Sequence, residues 1–493
     1  MKRLLITSTA LSLLGTAAFA DGHLPQENND WYKAAQQELK AKMAVAPITG
    51  KAKNVIVLVA DGNGVGSNYA TRIYQGQQKG GFGDENVMSK EQLPHLALVK
   101  TYNVNAQTPD SAGTATALFS GVKTKAGVIG VDETLNRGDC STVESASVAS
   151  IAEILSDAGK SVGLVTTARL THATPASAYA HAADRNHEDD SKLPEGCTTP
   201  DIASQLISAM EKGTVDLAMG GGRRHFLPKE ARDNEGKNGK RTDGKNLIEA
   251  AKANGVQYAW DSKTADALKL DGSPVLALFE SSHMKYENDR AGEPSLAEMT
   301  EKAIRALSND QDGYFLAIEA GRVDHANHDG NVHRTVTDGV AFDDAVRVAM
   351  EMTNPEETLI VVTADHDHSI GFNGTCGRGT PITGLCYGVD NNGVKHTGEL
   401  NLANDGKPYS VVGYLNGIGS ILSEGGQGSR PVVTQEEAVD PDYIQQALIP
   451  MDYETHSAVD VAVYARGPWA HLLNGTVEQN FIFHVMKYAA TGH

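Results

Sequence analysis

Apolar, β-branched runs alternate with amphipathic stretches along most of the chain. Runs such as VIVLV at 55–59 and LIVVT at 359–363 are apolar throughout, which is typical of strands covered on both faces. The alternation predicts an α/β fold, a three-layer αβα arrangement around a largely parallel central sheet. The predicted strands are Asn54–Ala60, Ser161–Thr167, Val215–Met219, Pro274–Phe279, Tyr314–Glu319, Thr358–Ala364 and Val459–Ala465, and the predicted helices are Ser145–Ala158, Pro200–Lys212, Ser295–Leu307 and Thr335–Met352.

Three segments depart from this alternation. Residues 223–245 are polar and rich in charge and glycine, which predicts a surface loop. Residues from about 371 to 450 contain many glycines and little helical periodicity, which indicates a rim (crown-like) insertion with short strands. An amphipathic stretch, Asp30–Met43, precedes the first strand, and we expect it to pack on a partner subunit of a homodimer.

The first twenty residues resemble a signal peptide. Lys2 and Arg3 precede an apolar run, and Ala18-Phe19-Ala20 forms a cleavage signal. The run is too short for a membrane span, and no later segment reaches the roughly 20 apolar residues that a span needs. We therefore expect a single large domain over 21–493, located in the periplasm or outside the cell.

Cysteine content and charge narrow the possibilities further. The four cysteines allow three pairings in an oxidising compartment, of which Cys140–Cys197 with Cys376–Cys386 is the most local. The net charge is −19, and loss of the two signal-peptide cations takes it to −21. Such a surface argues against nucleic acids and anionic membranes as partners, because both require clustered Lys and Arg.

Acidic and imidazole side chains collect where the apolar strands end. Ligands of open α/β sheets bind beyond the carboxyl ends of the strands, so these residues are candidate metal ligands. Carboxylate and imidazole groups without thiolates suit zinc or magnesium. The candidates are Asp61, Glu319, Asp324, His328, Asp365 and His366, with Asp367 and His368 beside them.

Two further residues have side chains suited to a metal-assisted reaction at a phosphate. Ser111 opens a helix of small residues, where the free N–H groups and the helix dipole stabilise an alkoxide or a phosphate. Arg185 can donate two hydrogen bonds to a phosphate, which a lysine cannot do with the same geometry. The glycines at 62–66 do not have the spacing of a dinucleotide fingerprint, and we expect them to allow close approach of the backbone to Asp61.

Long stretches of the chain resemble the alkaline phosphatase family, and more closely its animal and marine bacterial branch. They cover almost the whole mature chain, and the resemblance implies metal-dependent hydrolysis of phosphate monoesters through a phosphoserine, with a broad substrate range. The matching stretches are VADGNGVG, TPDSAGTATALFSG, THATPASAYAHAADR, GYFLAIEAGRVDHANH, VTADHDHS and ETHSAVDVAVYARGP.

The resemblance also assigns roles to individual residues. Ser111 would be the nucleophile, and Arg185 would bind the phosphate. One zinc would bind Asp324, His328 and His456, a second would bind Asp61, Asp365 and His366, and a magnesium would bind Asp61, Thr174 and Glu319.

His172 and His325 stand where the enteric branch has Asp and Lys. Near the third metal we expect them to be neutral and to become protonated near pH ~6.5. Phe279, Glu280 and Glu293 resemble part of a calcium site of the animal enzymes.

Two other classes of function compete with this interpretation. A sulfatase would carry a Cys/Ser-x-Pro-x-Arg motif, which is absent around Ser111, and diesterases of this scaffold usually have a threonine nucleophile and no counterpart of Arg185. A periplasmic metal- or phosphate-binding protein would have no need of a serine among the metal ligands. The residues therefore favour a phosphomonoesterase.

Overall fold

The computed structural model describes residues 24–422 and 428–493, so the expected signal peptide lies outside the described residues. The chain divides into two compact units at residues 46 and 47. In order, the described strands are β1 Asn54–Ala60, β2 His95–Lys100, β3 Ser161–Arg169, β4 Leu217–Gly221, β5 Gln257–Ala259, β6 Val275–Leu278, β7 Tyr314–Ala320, β8 Thr358–Ala364, β9 Asp367–His368, β10 Ile370–Phe372, β11 Val412–Gly417, β12 Ala447–Pro450, β13 His456–Ser457, β14 Val461–Arg466 and β15 Gly475–Glu478.

Helices occur in both units. The described α-helices are α1 Asp30–Met43, α2 Val65–Gln78, α3 Ser111–Ser120, α4 Val143–Ala146, α5 Ile151–Asp157, α6 Ala173–Ala176, α7 Ile202–Glu211, α8 Leu247–Ala253, α9 Ser262–Asp266, α10 Leu296–Leu307, α11 Arg322–His328, α12 Val332–Glu351, α13 Gln435–Ala438 and α14 Phe481–Thr491. Helix α1 belongs to the first unit and has no buried residue. Its packing on a partner subunit stays a prediction.

A ten-stranded sheet forms the centre of the second unit, in the order β15-β2-β14-β8-β1-β7-β3-β4-β6-β5. The strands from β8 to β5 are parallel, as expected for strands joined by helical crossovers. Strand β14 runs antiparallel to β8 and β2, so the sheet is mixed only near one edge of this order. The prediction of a largely parallel sheet is confirmed.

Helices cover both faces of this sheet, which confirms the three-layer arrangement. Along β1, Val55, Val57 and Val59 pack in one core with residues of α3, α5, α7 and α14. Ile56 and Leu58 pack in a second core with residues of α10 and α12. Because successive strand residues point to opposite faces, a strand between two cores must be apolar at every position, as the sequence of β1 is.

The glycine-rich segment after β8 forms a small sheet of its own. Strand β10 pairs antiparallel with β11, and β11 pairs parallel with β12. The short strands expected for a rim insertion over 371–450 are therefore present. The boundaries of that insertion stay a prediction. Strands β9 and β13 form a separate two-stranded pairing, with His368 opposite His456.

Residues 223–245 form a mostly exposed loop, as their polarity predicted, but two of its arginines are buried. Arg223 and Arg241 have no exposed side-chain surface. Arg223 donates to Asp233 at 2.9 Å, and Arg241 binds both carboxylate oxygens of Asp201 at 2.9 and 3.0 Å. Composition alone could not reveal this, because the carboxylates that make arginine burial tolerable come from the tertiary structure.

The described cysteines form two disulfides, Cys140–Cys197 and Cys376–Cys386. This is the most local of the three pairings that the sequence allowed. Disulfides persist in an oxidising compartment, so this pairing agrees with the expected export of the chain.

Asp338 in α12 is a buried carboxyl group with a single hydrogen bond, from the backbone N–H of Glu287 at 3.1 Å. Burial raises its pKa from an ordinary value of 3.8 to about 7, and the charges of Glu287 and Asp289 add to this effect. Between these two pKa values the folded protein therefore binds more protons than the unfolded chain. Stability must fall as the pH rises through this range.

We predict that Asp338→Asn stabilises the protein above pH 7, because asparagine keeps the acceptor for Glu287 without a buried charge. The expected gain is about 1–3 kcal/mol in the free energy of unfolding at about pH 8, with no gain at about pH 4. Urea unfolding of the protein at both pH values measures it. Asp344→Asn, at a half-exposed position of the same helix, is the matched control. Loss of stability on the Asp338→Asn substitution at the higher pH would contradict the assignment.

Candidate metal centre

The predicted ligands meet at the carboxyl edge of three neighbouring parallel strands. Asp61 directly follows β1, Asp365 and His366 directly follow β8, and Glu319 is the penultimate residue of β7. These strands are adjacent in the order β8-β1-β7. Helix α11, which begins two residues after β7 ends, brings Asp324 and His328 to the same edge, and β13 brings His456.

The first cluster consists of Asp324, His328 and His456. His328 Nδ1 donates to the carbonyl of Glu454 at 2.5 Å, and His456 Nδ1 donates to the carbonyl of Pro109 at 2.9 Å. Each ring therefore presents the lone pair of Nε2. The two Nε2 atoms are 3.1 Å apart, and each lies 3.3 Å from Asp324 Oδ1.

This spacing fits a tetrahedral metal. Ligands at about 2.0–2.1 Å from zinc are roughly 3.3 Å from one another in tetrahedral coordination. Without a cation, two nitrogen lone pairs and a carboxylate oxygen at these distances would repel one another. The donor set of the first cluster therefore suits a zinc ion.

The second cluster consists of Asp61, Asp365 and His366, which have no exposed surface. His366 Nε2 lies 3.3 Å from Asp61 Oδ1 and 3.3 Å from Asp365 Oδ2. Ser111 Oγ lies 3.1 Å from the same nitrogen and 3.4 Å from Asp61 Oδ1. The serine oxygen thus stands where a fourth ligand of a tetrahedral site would stand.

The third cluster is made of oxygen atoms. Asp61 Oδ2, Thr174 Oγ1 and Glu319 Oε1 are buried and have no hydrogen-bond partner among the described residues. Unpartnered buried oxygens are costly unless a cation or water binds them. This all-oxygen set suits magnesium, which prefers hard ligands.

The carboxylates of these clusters repel one another. Burial raises the pKa of Asp61 well above its ordinary value, and the charges of Asp324 and Asp365 raise it further. Burial also raises the pKa of Glu319 to about 7, with a contribution from Asp365. Bound dications would reverse these shifts, because they favour the ionised carboxylates.

Ser111 lies at the first position of α3 with 2% of its surface exposed. Asp110 caps the helix by accepting from the N–H of Gly113, and its other oxygen accepts from Arg185 at 3.0 Å. One aspartate therefore orients both the serine helix and the arginine. Ser111 and Arg185 line the same cleft of about 360 Å³, together with Thr108, His172, Asp324, His325, His328, Tyr453, Thr455 and His456.

His172 and His325 are neutral hydrogen-bond acceptors. His172 Nε2 accepts from Arg185 at 3.0 Å, and His325 Nδ1 accepts from Arg322 at 2.9 Å. Burial and these arginines lower the pKa of His172 well below its ordinary value and that of His325 to about 3. The expected protonation near pH ~6.5 is therefore wrong, because the sequence did not show that each ring faces a guanidinium.

Sequence reasoning missed the role of Glu454, which is fully buried. Its Oε2 lies 2.5 Å from His368 Nδ1, and His368 Nε2 lies 2.8 Å from Asp324 Oδ1. Although burial favours a neutral ring, Glu454 and Asp324 raise the pKa of His368 to about 10. His456 follows Glu454 by two residues, but only the pairing of β9 with β13 places Glu454 against His368.

The glycines after β1 allow this crowding. Gly62 has φ of 67°, and a Cβ there would lie 2.3 Å from His368 Nε2. A Cβ on Gly64 would lie 1.7 Å from Asp367 Oδ1. The run therefore lets the backbone approach the site side chains, as the sequence predicted.

Calcium fits Glu280 and Glu293 poorly. Glu280 Oε1 pairs with Lys237 Nζ at 2.8 Å, and Glu293 Oε1 lies 3.6 Å from Lys285 Nζ. Two ammonium groups already balance the two carboxylates, so a dication would face repulsion from both lysines. Calcium binding here stays a prediction.

The known proteins to which this chain is similar are alkaline phosphatases. The Alkaline phosphatase family model matches residues 52–491. The tissue-nonspecific isozyme of alkaline phosphatase from Rattus norvegicus is 40% identical over 501 residues, which cover 97% of this chain and 91% of the relative. The Gallus gallus isozyme is 40% identical over 489 residues, with 95% and 91% coverage.

Solved structures show the same fold. The alkaline phosphatase of the Antarctic bacterium TAB5 has a TM-score of 0.62 at 22% identity, over 90% of this chain and 99% of that one. The Thermus thermophilus alkaline phosphatase has a TM-score of 0.63 at 22% identity, over 90% and 92%. The family match over most of the sequence and the 40% identity to curated relatives place the chain in the alkaline phosphatase family.

Proposed function

We propose that the protein hydrolyses phosphate monoesters with Ser111 as the nucleophile. The observation that carries this proposal is the position of Ser111 Oγ, 3.1 Å from His366 Nε2 and 3.4 Å from Asp61 Oδ1, in the same cleft as Arg185. A binding protein would have no use for a hydroxyl group at a ligand position. The family to which the chain belongs supports the same activity.

The chain's own residues account for binding and transfer. Arg185, oriented by Asp110, donates to two non-bridging phosphate oxygens, and the free N–H groups at the start of α3 face the same phosphate. Ser111 Oγ attacks phosphorus in line, the bond from phosphorus to the ester oxygen breaks, and the alcohol leaves with a proton. Water then attacks the phosphorus of the phosphoserine, the bond from phosphorus to Ser111 Oγ breaks, inorganic phosphate leaves, and a proton from the water restores the serine hydroxyl.

Metals complete the site in this proposal. Asp324, His328 and His456 would hold one zinc ion, Asp61, Asp365 and His366 would hold a second, and Asp61, Thr174 and Glu319 would hold a magnesium ion. When bound, these ions supply Lewis-acid stabilisation of negative oxygen atoms and favour the ionised form of the serine hydroxyl. The tetrahedral spacing of the first two clusters and the unpartnered oxygens of the third support this assignment.

We also propose an exported homodimer. Both disulfides form, as expected in the periplasm or outside the cell, and no helix within 24–422 or 428–493 has the length and hydrophobicity that a bilayer crossing requires.

Exposed apolar side chains cluster around the small sheet of β10, β11 and β12, which supports coverage of this surface by a second copy in a homodimer. They include Leu415, Ile418, Leu448, Ile449 and Val459, each at least 42% exposed.

We predict that the Ser111→Ala variant forms no covalent bond to phosphate, while both zinc ions stay bound. Incubation with labelled phosphate at low pH, followed by denaturation and peptide mapping, locates the label, and elemental analysis counts zinc. Ser120→Ala, at the other end of the same helix, should retain the label. Label on any residue other than Ser111 would refute the assignment.

Glu454→Gln should weaken zinc binding at the first cluster, because the amide cannot hold His368 against Asp324 as a carboxylate does. Outer partners of metal ligands typically contribute about 10- to 100-fold in affinity. Competition with a calibrated zinc chelator measures the change. Glu436→Gln, at an exposed position of α13, is the control, and equal zinc affinity in all three proteins would exclude Glu454 from this role.

His172→Asp should strengthen magnesium binding, because hard cations prefer a carboxylate to an imidazole. A TAB5 alkaline phosphatase variant with aspartate in place of a histidine has Mg bound in its M3 site. Magnesium titration of metal-stripped, zinc-reloaded enzyme should show binding about 10-fold tighter or more. His484→Asp, on the exposed face of α14, is the control. If His172→Asp does not tighten magnesium binding, His172 does not contribute to the third metal site.

A further inference from the structure

Lys90 is a buried lysine without a counter-ion. It is 1% exposed, and its ammonium nitrogen lies 5.5 Å from the centre of the Phe342 ring. Within 24–422 and 428–493, no carboxylate lies within ion-pair distance of this nitrogen, and its one hydrogen-bond acceptor is Asn68 Oδ1. A buried charge with so few partners is costly, and such costs occur mainly where a residue serves function.

The backbone of Lys90 is fixed by Asp343 of α12. Asp343 accepts from the backbone N–H groups of Ser89 and Lys90 at 3.0 and 3.2 Å, and from the side-chain amide of Gln75 at 3.1 Å. Burial lowers the pKa of Lys90 to about 8, and the charges of Asp343 and Glu91 oppose this shift only in part. Asp343 therefore holds the backbone of the lysine, whereas the ammonium group extends to α2.

Asn68 of α2 connects this ammonium group to the turn after β1. Its Oδ1 accepts from Lys90 and also from Asn63 Nδ2, the latter at 3.0 Å. Its Nδ2 donates to the carbonyl of Asn63 at 3.3 Å. Asn63 is thus held by its side chain and by its backbone. The positive charge beside Asn68 Oδ1 polarises the amide, which strengthens the hydrogen bond that its Nδ2 donates.

Asn63 belongs to the turn that orients the second metal cluster. Asp61 lies two residues earlier, and Gly62 between them has φ of 67°. The N–H of Gly62 donates to Asp365 Oδ1 at 3.0 Å, and Asp365 Oδ2 lies 3.3 Å from His366 Nε2. One turn therefore orients two of the three candidate ligands, Asp61 directly and Asp365 through a hydrogen bond.

This turn requires an anchor from elsewhere in the fold. Gly62 and Gly64 are necessary, because a Cβ on either would collide with side chains of the site. Glycine adopts more backbone conformations than other residues, so a turn that contains two of them is intrinsically flexible. A metal site needs ligands held within about 0.5 Å of their productive positions. Asn63 lies between the two glycines, where a side-chain anchor restores the rigidity that they lack.

We propose that Lys90 is a positioning residue for the second metal cluster, on which it acts through Asn68 and Asn63. Lys90 does not line the catalytic cleft, so its effect is to restrict the turn 61–64. The zinc ion of the second cluster should therefore depend on Lys90. The zinc ion of the first cluster, whose ligands lie on α11 and β13, should not. This proposal rests on the second cluster as a zinc site under the proposed function.

The test measures the rate at which the fully loaded protein releases zinc to an excess of chelator. Lys90→Met keeps the length of the side chain and removes its charge. In this variant we expect one of the two zinc ions to leave about 10-fold faster than in the parent, and the other to leave at the parent rate. Asp365→Ala identifies the affected ion, because it should lose the zinc of the second cluster.

Lys160 provides the matched control, because it is a buried lysine at the opposite edge of the sheet. It is 7% exposed and donates to the carbonyls of Lys53 and Asp312 at 2.7 and 2.6 Å, just before β3 begins. Lys160→Met should therefore lower the thermal midpoint without changing either rate of zinc release. Faster release in both lysine variants, or in neither, overturns the proposal.

Asn68→Ala tests the same connection without depending on the folding of Lys90→Met. It keeps the lysine and breaks its link to Asn63, so it should also accelerate release of the second zinc ion. The double variant Lys90→Met/Asn68→Ala should release that ion about as fast as either single variant, because both substitutions interrupt one chain of contacts. Additive effects would mean that Lys90 acts by another route, which overturns the proposal.

Hydrogen–deuterium exchange of the metal-stripped protein gives a readout that does not involve zinc. The peptide 61–68 should exchange faster in Lys90→Met and in Asn68→Ala, whereas α10 should exchange as in the parent. Unchanged exchange of 61–68 in both variants overturns the proposal. If the parent binds no zinc, or if Asp365→Ala keeps both ions, the proposed zinc site itself fails, so the two failures are distinguishable.

Discussion

Repulsion among buried ligand atoms is the constraint on which the site depends. The Nε2 atoms of His328 and His456 face each other at 3.1 Å, and each lies 3.3 Å from Asp324 Oδ1. Burial raises the pKa values of Asp61 and Glu319, and neighbouring carboxylates raise them further. Protein atoms alone cannot satisfy this arrangement, so the fold is built to be completed by cations.

The sheet makes that repulsion tolerable by distributing it over rigid elements. Asp61, Glu319, Asp365 and His366 lie at the ends of three adjacent strands whose other residues fill two apolar cores, and α6, α11 and β13 supply the remaining candidate ligands. Because the three strands pack on both faces, their ends have little freedom to move apart. Arg169, which ends β3, and Arg224, which follows β4, belong to the same edge of the sheet as the candidate ligands.

Much of this was predictable from the sequence because it depends on local patterns. The uniform apolarity of β1 and β8 identified both strands with their observed bounds, and the acidic residues at their ends identified the site. The short strands β2, β5 and β15 were missed because each contains polar residues, so none of them is apolar throughout. The role of Glu454 and the burial of Arg241 depend on partners distant in the chain, which no local pattern encodes.

The lysines beside Glu280 and Glu293 have a practical consequence for handling the protein. Because Lys237 and Lys285 pair with these carboxylates, protein groups oppose the charges of this region, whereas the ligand clusters at the catalytic edge depend on cations. A chelator therefore acts mainly on the catalytic edge, and reconstitution with cobalt or cadmium would place spectroscopic reporters at the ligand clusters.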